Sequence, residues 1–429
     1  MQQQKYFFRH CATFASVASA AVISLACYTQ ARAAEPAEAS PPMAGPAISL
    51  SGFGSVGIVH SSERKADYST AVLTEHGVGY SGEWRADLDS RLGVQLDVTF
   101  NKRWSAVLQV ISEQRVDGGY VPLVEWANLK YQVSPELALR IGRIALPMFI
   151  AADYRKVGYA YTWARTPVEV YRTVPITNND GIDLTYRWQT GRVKHTTQAF
   201  FGRTVVKLER GEAVHGRHVA GIASTAELGA LSARVSLIRG ELSSNLLGDL
   251  FGGLRQFGPA GERLAAAYAL DHTRAKAYTA GLSYDPGTWF VMSEFGSMQT
   301  ASFLGANRAA YVSAGYRYSN FTPFITYARV KPDSVTRDPG LDLRALPPSL
   351  LAPAAMLNGY LNAVLGNVPA QRTLSAGARW DLMPSISLKL QYDRVQPDAG
   401  NFGTFIRVQP GFDGGHPVHI GSAVLDFVF

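Results

Sequence analysis

The charged side chains of one long segment are the strongest candidates for chemistry in this 429-residue chain. The segment, Ala145–Asp180, lies between two short runs of alternating polarity, Leu137–Ile144 and Gly181–Gln189. Its charged candidates are Asp153, Arg155, Lys156, Arg165, Glu169 and Arg172. Acidic and basic groups that face each other across a narrow aqueous passage select ions by sign. We therefore expect this segment to discriminate between polar solutes by charge, without covalent chemistry.

Two other interpretations of the same segment stay open. Its charges could pair with each other and only fix the loop, in which case no field would cross a passage. Its aromatic residues could instead form a stacking track for sugars or aromatic acids; they are Phe149, Tyr154, Tyr159, Tyr161, Trp163 and Tyr171. A structureless segment of this length inside a compact domain usually marks a functional element.

Signatures of catalysis and of metal binding are weak in this sequence. There is no G-x-S-x-G elbow and no obvious Ser/His pairing, and His215 and His218 have no third ligand near them in sequence. Asp180 and Asp183 suit a calcium site, but turn chemistry explains them equally well. The run Gly52–Gly57 matches G-x-G-x-x-G, yet it lies in a predicted strand with no helix after it. We expect no catalytic residue, no metal and no cofactor.

The elements that must position the long segment are β-strands. In Arg91–Phe100, Ser385–Asp393 and many similar runs, every second residue is apolar, which predicts a strand with one apolar and one polar face. About sixteen such runs are present: 48–60, 90–100, 103–114, 123–133, 137–144, 181–189, 192–203, 217–227, 230–240, 276–284, 288–298, 307–318, 321–331, 371–380, 384–396 and 416–429. Most have the length that a tilted strand needs to cross a bilayer.

The connections between these runs alternate between short and long. Short ones such as Asn101-Lys102 and Thr190-Gly191 alternate with long ones at 61–89, 145–180, 241–275, 332–370 and 397–415. This alternation is typical of an antiparallel transmembrane β-barrel with short periplasmic turns and long outer loops. With a periplasmic N-terminus, the segment 145–180 is the third outer loop, and we expect it to fold into the lumen. No uninterrupted apolar run after the leader is long enough for a transmembrane helix.

The N-terminal region is expected to be a leader. Lys5 and Arg9 precede a small apolar stretch, and Ala31-Arg32-Ala33 is an A-x-A site, so residues 1–33 are predicted to be a signal peptide. A membrane anchor is the alternative. Residues 34–47 are predicted to be a flexible lead-in and residues 48–429 one barrel. Cys11 and Cys27, the two cysteines of the chain, fall in the leader.

Net charge argues against one class of partner. Cleavage of the leader takes Lys5, Arg9 and Arg32 from the 41 basic residues, which leaves 38 against 34 acidic ones. Such a mild excess without a clustered basic stripe does not indicate nucleic-acid binding.

The last run carries the sharpest resemblance to a known family. Leu425, Phe427 and Phe429 alternate up to the final residue, and Asp89–Val94 looks like the second strand of the general porins. The chain resembles this Gram-negative outer-membrane family over its whole mature length in pattern. It lacks the Pro-Glu-Phe-Gly turn common in the third loop of enterobacterial members. The resemblance implies a sixteen-stranded barrel, often trimeric, a third loop that constricts the pore, and a terminal aromatic read by the barrel-insertion machinery.

Inside such a barrel, the polar strand faces would line water. The predicted pore wall is basic and includes Arg91, Lys130, Arg140, Arg187 and Lys389, with Lys194, Arg234, Arg317 and Arg379 on further strands. The inward acids are fewer: Asp97, Glu113, Asp183 and Asp393. We expect a channel for passive diffusion of small hydrophilic solutes and ions that mildly favours anions, in contact with outer-membrane lipid and lipopolysaccharide. The alternatives are a substrate-specific channel and an outer-membrane enzyme such as a phospholipase or protease.

Overall fold

The computed structural model describes residues 45–116, 119–174, 176–208 and 211–429. The predicted leader and most of the predicted lead-in lie outside these residues. Within the described residues, Pro46–Phe429 form one compact unit.

Sixteen long strands of this unit form one closed antiparallel sheet. They are β1 (Ala47–Ser61), β5 (Arg91–Thr99), β6 (Trp104–Glu113), β7 (Leu123–Gln132), β8 (Leu137–Ala145), β9 (Asn178–Thr190), β10 (Val193–Lys207), β11 (Ala213–Leu228), β12 (Leu231–Ser243), β13 (Thr273–Tyr284), β14 (Trp289–Thr300), β15 (Asn307–Tyr316), β16 (Phe321–Pro332), β17 (Gln371–Met383), β18 (Ile386–Pro397) and β20 (Val418–Val428). The sheet closes because β1 pairs with both β5 and β20. The predicted barrel and its sixteen strands are confirmed.

Each strand has two different faces, as the period of two predicts. On β16, Phe321, Ile325 and Tyr327 point outward and are exposed, whereas Phe324 and Thr326 point inward and are buried. The same alternation holds around the barrel and produces an outward apolar surface. Among the described residues, no helix is both long and apolar enough to cross a membrane.

The connections divide between the two ends of the barrel. Short turns close one end, and long loops with their own structure cover the other. The first long loop contains the two-residue strands β2 (Asp67–Tyr68), β3 (Val78–Gly79) and β4 (Trp84–Arg85), and the last contains β19 (Phe405–Ile406), which pairs with β2. The third loop contains α1 (Val168–Tyr171). Two further loops form α2 (Gly248–Arg255), α3 (Gly258–Tyr268) and α4 (Pro348–Leu365).

Two apolar clusters hold these loops in place. Phe251 and Leu254 of α2 pack with Leu341 and Ala354 beside and within α4, so the helical loops cover the long-loop end together. A separate cluster lies inside the barrel, between the third loop and the inward faces of β10–β16. The interior of the barrel is therefore partly filled by the third loop, as predicted.

Candidate pore constriction

The third loop, residues 146–177, turns into the barrel directly after β8. Ser236 on β12 donates hydrogen bonds to the carbonyl oxygens of Pro147 (3.0 Å) and Met148 (2.9 Å). Thr279 on the next strand also donates to Met148. The loop therefore reaches the wall four strands beyond its own starting point in its first few residues.

Aromatic packing then holds the loop against β14–β16. The indole N–H of Trp163 donates to the hydroxyls of Ser313 (2.9 Å) and Thr326 (3.1 Å). Tyr171 and Tyr311 both donate to Oε1 of Glu294, at 2.5 and 2.7 Å. Because these rings are buried in the inner cluster, the loop is packed like a protein core along this arc.

Arg165 joins the third loop to the first long loop and to two strands of the wall. Its guanidinium donates to both oxygens of Asp89 (2.6 and 3.1 Å), to Asp393 on β18 (3.0 Å) and to Ser422 on β20. Its side chain is only 6% exposed. Burial alone would lower the pKa of Arg165, but the carboxylates of Asp89 and Asp393 raise it above the ordinary value. Arg165 therefore stays charged and holds the third loop in place.

Glu169, at the start of α1, is a second buried charged residue that holds the loop to the wall. Its Oε1 accepts hydrogen bonds from the Gln371 amide (2.6 Å) and from the Thr373 hydroxyl, both on β17. Burial raises the pKa of Glu169 above its usual range. Arg165 and Glu169 both fix the loop, but they do so by binding residues outside it and not by pairing with other charges of the loop.

The deepest part of the loop is anchored at Gly158. The ammonium of Lys389, fully buried, donates to the Gly158 carbonyl (2.6 Å) and lies 2.9 Å from a carboxylate oxygen of Asp426. A Cβ on Gly158 would come within 2.1 Å of Asp426, so only glycine fits there. Lys389 is therefore inward-facing, as predicted, but it lies beneath the loop and does not face the lumen.

The remaining charged residues of the loop differ in their surroundings. Arg155 donates to the carbonyl of Tyr171 (2.8 Å), and Lys156 forms an ion pair with Glu113 on β6. Arg172 has two buried nitrogens, Nε and Nη1, without a hydrogen-bond partner among the described residues, and burial lowers its pKa to about 10. Asp153 is exposed.

The predicted wall residues on β7–β10 face the part of the lumen that the loop leaves open. The hydrogen bonds and ion pairs formed by the described residues of the loop reach no side chain of β7–β9. Lys130 lies directly opposite Arg140, which binds both oxygens of Asp183 at 2.5–3.0 Å. Arg187 lies two strands from Lys130, on the same inward face of the sheet. Arg187 on β9 and Lys194 on β10 both point inward and are exposed, so they line the aqueous part of the lumen.

Other predicted residues have local partners. Arg91 lies 3.8 Å from Glu113, and Arg379 donates to the carbonyls of Tyr159 (2.6 Å) and Tyr161 (3.3 Å). Arg317 lies in a short turn just past the end of β15, where it pairs with Asp285 and packs over the inward-facing ring of Phe290.

The two possible metal sites considered from the sequence, His215/His218 and Asp180/Asp183, gain no support. Asp180 pairs with Arg143 at 2.6 Å, whereas Asp183 pairs with Arg140 on the opposite face of β9, so the two carboxylates cannot share an ion. The described residues contain no group of three or more ligands that could hold a metal ion.

Sequence reasoning missed several partners of the loop. Asp89, Glu294 and Gln371 are buried polar residues that receive it, and Ser55 hydrogen-bonds to Asp426 beside Gly158. The inward position of Glu294, Gln371 and Asp426 on their strands was readable from the period of two, whereas Asp89 lies in the first long loop, just before β5. Which of the inward residues meet the loop was not readable, because that depends on its path through the lumen.

Comparisons with known proteins agree with this geometry. A family profile described as Gram-negative porin matches residues 11–405. Solved structures with the same fold include Salmonella typhi OmpF in complex with daunomycin (14% identity, TM-score 0.53), covering 90% of this chain and 98% of that one. An anion-selective porin from Comamonas acidovorans covers 90% and 100% (12% identity, TM-score 0.50). The outer-membrane channel DcaP of Acinetobacter baumannii covers 90% and 98% (12% identity, TM-score 0.50). No curated protein sequence matches significantly.

Proposed function

The chain belongs to the Gram-negative porin family, and we propose that its channel favours small hydrophilic anions over cations. It is a multi-pass β-barrel of the outer membrane that passes solutes by passive diffusion. The sign of its preference depends on which charged groups water in the lumen can reach.

One observation carries the proposed sign: the water-accessible cations on the inward face of β7–β10. Arg140 is paired with Asp183 and Lys194 faces Glu227 across the strand pair, while Lys130 and Arg187 have no carboxylate at ion-pair distance among the described residues. Fixed cations on the wall of a narrow aqueous pore raise the local concentration of anions and repel cations. The solved anion-selective porin with the same fold is in keeping with this proposal.

The field across the constriction is proposed to run from this wall to the exposed Asp153 of the loop. The other charged residues predicted for the constriction, Arg155, Lys156, Arg165, Glu169 and Arg172, contribute to it mainly by holding the loop. An aromatic stacking track is less well supported, because four of the six rings are buried: Phe149, Tyr161, Trp163 and Tyr171.

The finer expectations about chemistry and assembly are also proposals. We propose that solutes cross without covalent chemistry, so the chain has no catalytic residue. Copies of the chain are proposed to assemble as trimers, and Leu425, Phe427 and Phe429 are proposed to be the signal for the insertion machinery. The outer surface is proposed to contact lipopolysaccharide.

Reversal potentials in a salt gradient across a planar bilayer test the selectivity. We expect the wild-type channel to be anion-favouring and the double variant Lys130→Gln/Arg187→Gln to lose most of that preference. Lys102→Gln/Arg192→Gln removes two exposed charges from short turns and is the matched control, which should leave the sign unchanged. A clear cation preference of the wild type would refute the proposal. The same recordings with candidate solutes added would reveal a substrate-specific channel as a block of the ion current.

A further inference from the structure

An apolar cluster lies at the long-loop end, where the barrel opens to the outside, and we call it the apolar bridge. Its buried members among the described residues are Leu208, Val214, Leu250, Phe251, Leu254, Ala265, Leu270, Phe303, Leu341 and Ala354. They come from the outer ends of β10 and β11 and from the loops that follow β12, β14 and β16. The bridge therefore joins connections that start on well-separated strands.

The bridge begins on the inward faces of the strands. Val206 on β10 and Val214 on β11 are direct partners across the strand pair, and both belong to the cluster. Val205, the neighbour of Val206, points outward and is 49% exposed. The cluster consequently extends over the lumen and not along the outer surface of the barrel.

Two loops from the opposite arc reach the bridge. Leu73, in the loop between β1 and β5, and Val116, in the loop between β6 and β7, both pack against its buried members. The strands β17, β18, β20 and β1 separate the loop of Leu73 from the nearest loop with a buried member, and β7–β10 do the same for Val116. With neighbouring strands about 4.8 Å apart, each loop reaches a partner that starts about 19 Å away along the wall. Both loops therefore extend across part of the outer mouth.

Hydrogen bonds fix the helical side of the bridge. The side-chain amide of Asn358 on α4 exchanges hydrogen bonds with the backbone of Leu341 (2.8 and 2.9 Å), and that of Asn362 does so with the backbone of Asp338 (2.8 and 2.9 Å). Tyr268 on α3 donates to the carboxylate of Asp338 at 2.7 Å. The two helical loops thus form one frame against which the other loops pack.

Leu73 is held less favourably than this frame. Its φ of 61° lies in the left-handed region, which is unfavourable for a residue with a side chain. Leu247 has a similar φ of 63°, but α2 follows it directly and the Phe251 N–H donates to its carbonyl (3.1 Å). Backbone strain persists only where the surroundings maintain it. At Leu73 the apolar contact with the bridge and the backbone strain therefore oppose each other.

The loop of Leu73 also contacts the third loop. Asp89, at its end, binds Arg165, and Val78, within it, packs in one apolar cluster with Val168 of α1. The same loop thus joins the outer mouth to the constriction. A test of the bridge must therefore separate an effect at the mouth from an effect on the third loop.

From this arrangement we infer that the apolar bridge is a size filter at the outer mouth, in series with the third loop, and that Leu73 is its releasable end. Water and small ions pass beside the bridge. A solute wider than those gaps passes only when Leu73 leaves the cluster, so its flux depends on how strongly this side chain is held. The inference requires an open channel but is independent of the proposed anion preference.

Liposome swelling with neutral sugars of increasing size tests the filter without involving charge. The test variant is Leu73→Asn, because asparagine is close to leucine in size and tolerates the left-handed region but loses the apolar contact. We expect the swelling rate with a trisaccharide, divided by the rate with a monosaccharide, to rise at least about threefold over wild type. Leu73→Met keeps an apolar side chain and should retain the wild-type ratio. The matched control is Val335→Asn, because Val335 is 61% exposed in the loop between β16 and β17 and does not belong to the bridge.

An unchanged ratio in Leu73→Asn, or an equal rise in Val335→Asn, would overturn the inference. If Leu73→Asn lowers the folded fraction on a gel, Leu73→Gly replaces it, since glycine also tolerates the left-handed region, and it should raise the ratio in the same direction. Single-channel currents of each variant are recorded in parallel. Quiet currents with the wild-type reversal potential would support an effect at the mouth alone. Noisy currents, which indicate a released third loop, would assign the higher flux to the constriction and would equally count against the bridge.

Discussion

The ring of Phe427 on the last strand covers Gly54 on the first, its direct partner across the seam that closes the barrel. A Cβ on Gly54 would lie 2.3 Å from the ring of Phe427. One step along the same seam, the ring of Phe429 covers Gly52, and these two residues exchange backbone hydrogen bonds of 2.8 and 3.0 Å. Gly52 and Gly54 therefore leave space for the two rings at the seam, and the run Gly52–Gly57 lies within β1 with no helix directly after it.

Enlarging Gly54 should impair closure of the barrel. A valine there has no space beneath the Phe427 ring, and overpacking of this kind typically costs about 1–3 kcal/mol. We expect Gly54→Val to refold in lower yield, measured as the heat-modifiable folded fraction on a gel. The control is Gly421→Val on the same outward face of β20, where an added Cβ meets nothing within 4 Å. Equal yields for both variants would contradict the packing argument.

Loss of the terminal ring should affect assembly in cells more than refolding in vitro. Phe429→Ala keeps the backbone hydrogen bonds to Gly52 and removes the aromatic group proposed to be recognised during insertion. We expect a strong decrease of folded protein in outer membranes and a smaller decrease in spontaneous refolding into detergent. Parallel decreases in the two assays would show that the ring acts only by packing.

Removal of Arg165 should release the third loop. The substitution Arg165→Ala leaves Asp89 and Asp393 buried without their cation, and breaking a buried ion pair usually costs about 3–5 kcal/mol. We expect larger and noisier single-channel currents and a lower unfolding temperature. Arg344→Ala is the control, because this side chain is 93% exposed and pairs only with its neighbour Asp342. Quiet currents of unchanged size in Arg165→Ala would mean that the aromatic cluster alone holds the loop.

Glu169 should make anchoring of the loop dependent on pH. Burial raises its pKa in the folded protein above the ordinary value of 4.5, so its contribution is fully present below that value and is lost as pH rises through the raised pKa. We expect current noise in the wild type to increase over that rise, and Glu169→Gln, whose amide oxygen still accepts both hydrogen bonds, to remove this component. A Glu169→Gln channel with the same pH profile as wild type would assign the effect to another group.

Shortening the loop should widen the pore. The described part of the loop fills the lumen between β12 and β20. A deletion within Ala151–Arg172 therefore removes residues of the inner apolar cluster together with Arg165 and Glu169. We expect a higher single-channel conductance, measured in planar bilayers with protein shown to be folded. An unchanged conductance would contradict the view that the loop limits flow.

The sequence alone determined the strands, their faces and their order. Side chains alternate between the two faces of any strand, so a period of two is a local property, and it identified all sixteen strands and the inward direction of Lys130, Arg140 and Arg187. The alternation of short and long connections then indicated a barrel with its loops at one end. Only strand boundaries shifted, by up to a few residues.

Only the tertiary structure decided which inward residues meet water. Arg165 and Glu169 are charged residues of the kind that lines pores, yet their partners lie 76 to 257 positions away in the chain, and the path of the loop brings them together. Lys389 and Arg187 have the same sequence signature, but the first lies beneath the loop and the second faces the lumen. Burial depends on contacts between distant segments, and no local pattern of polarity contains that information.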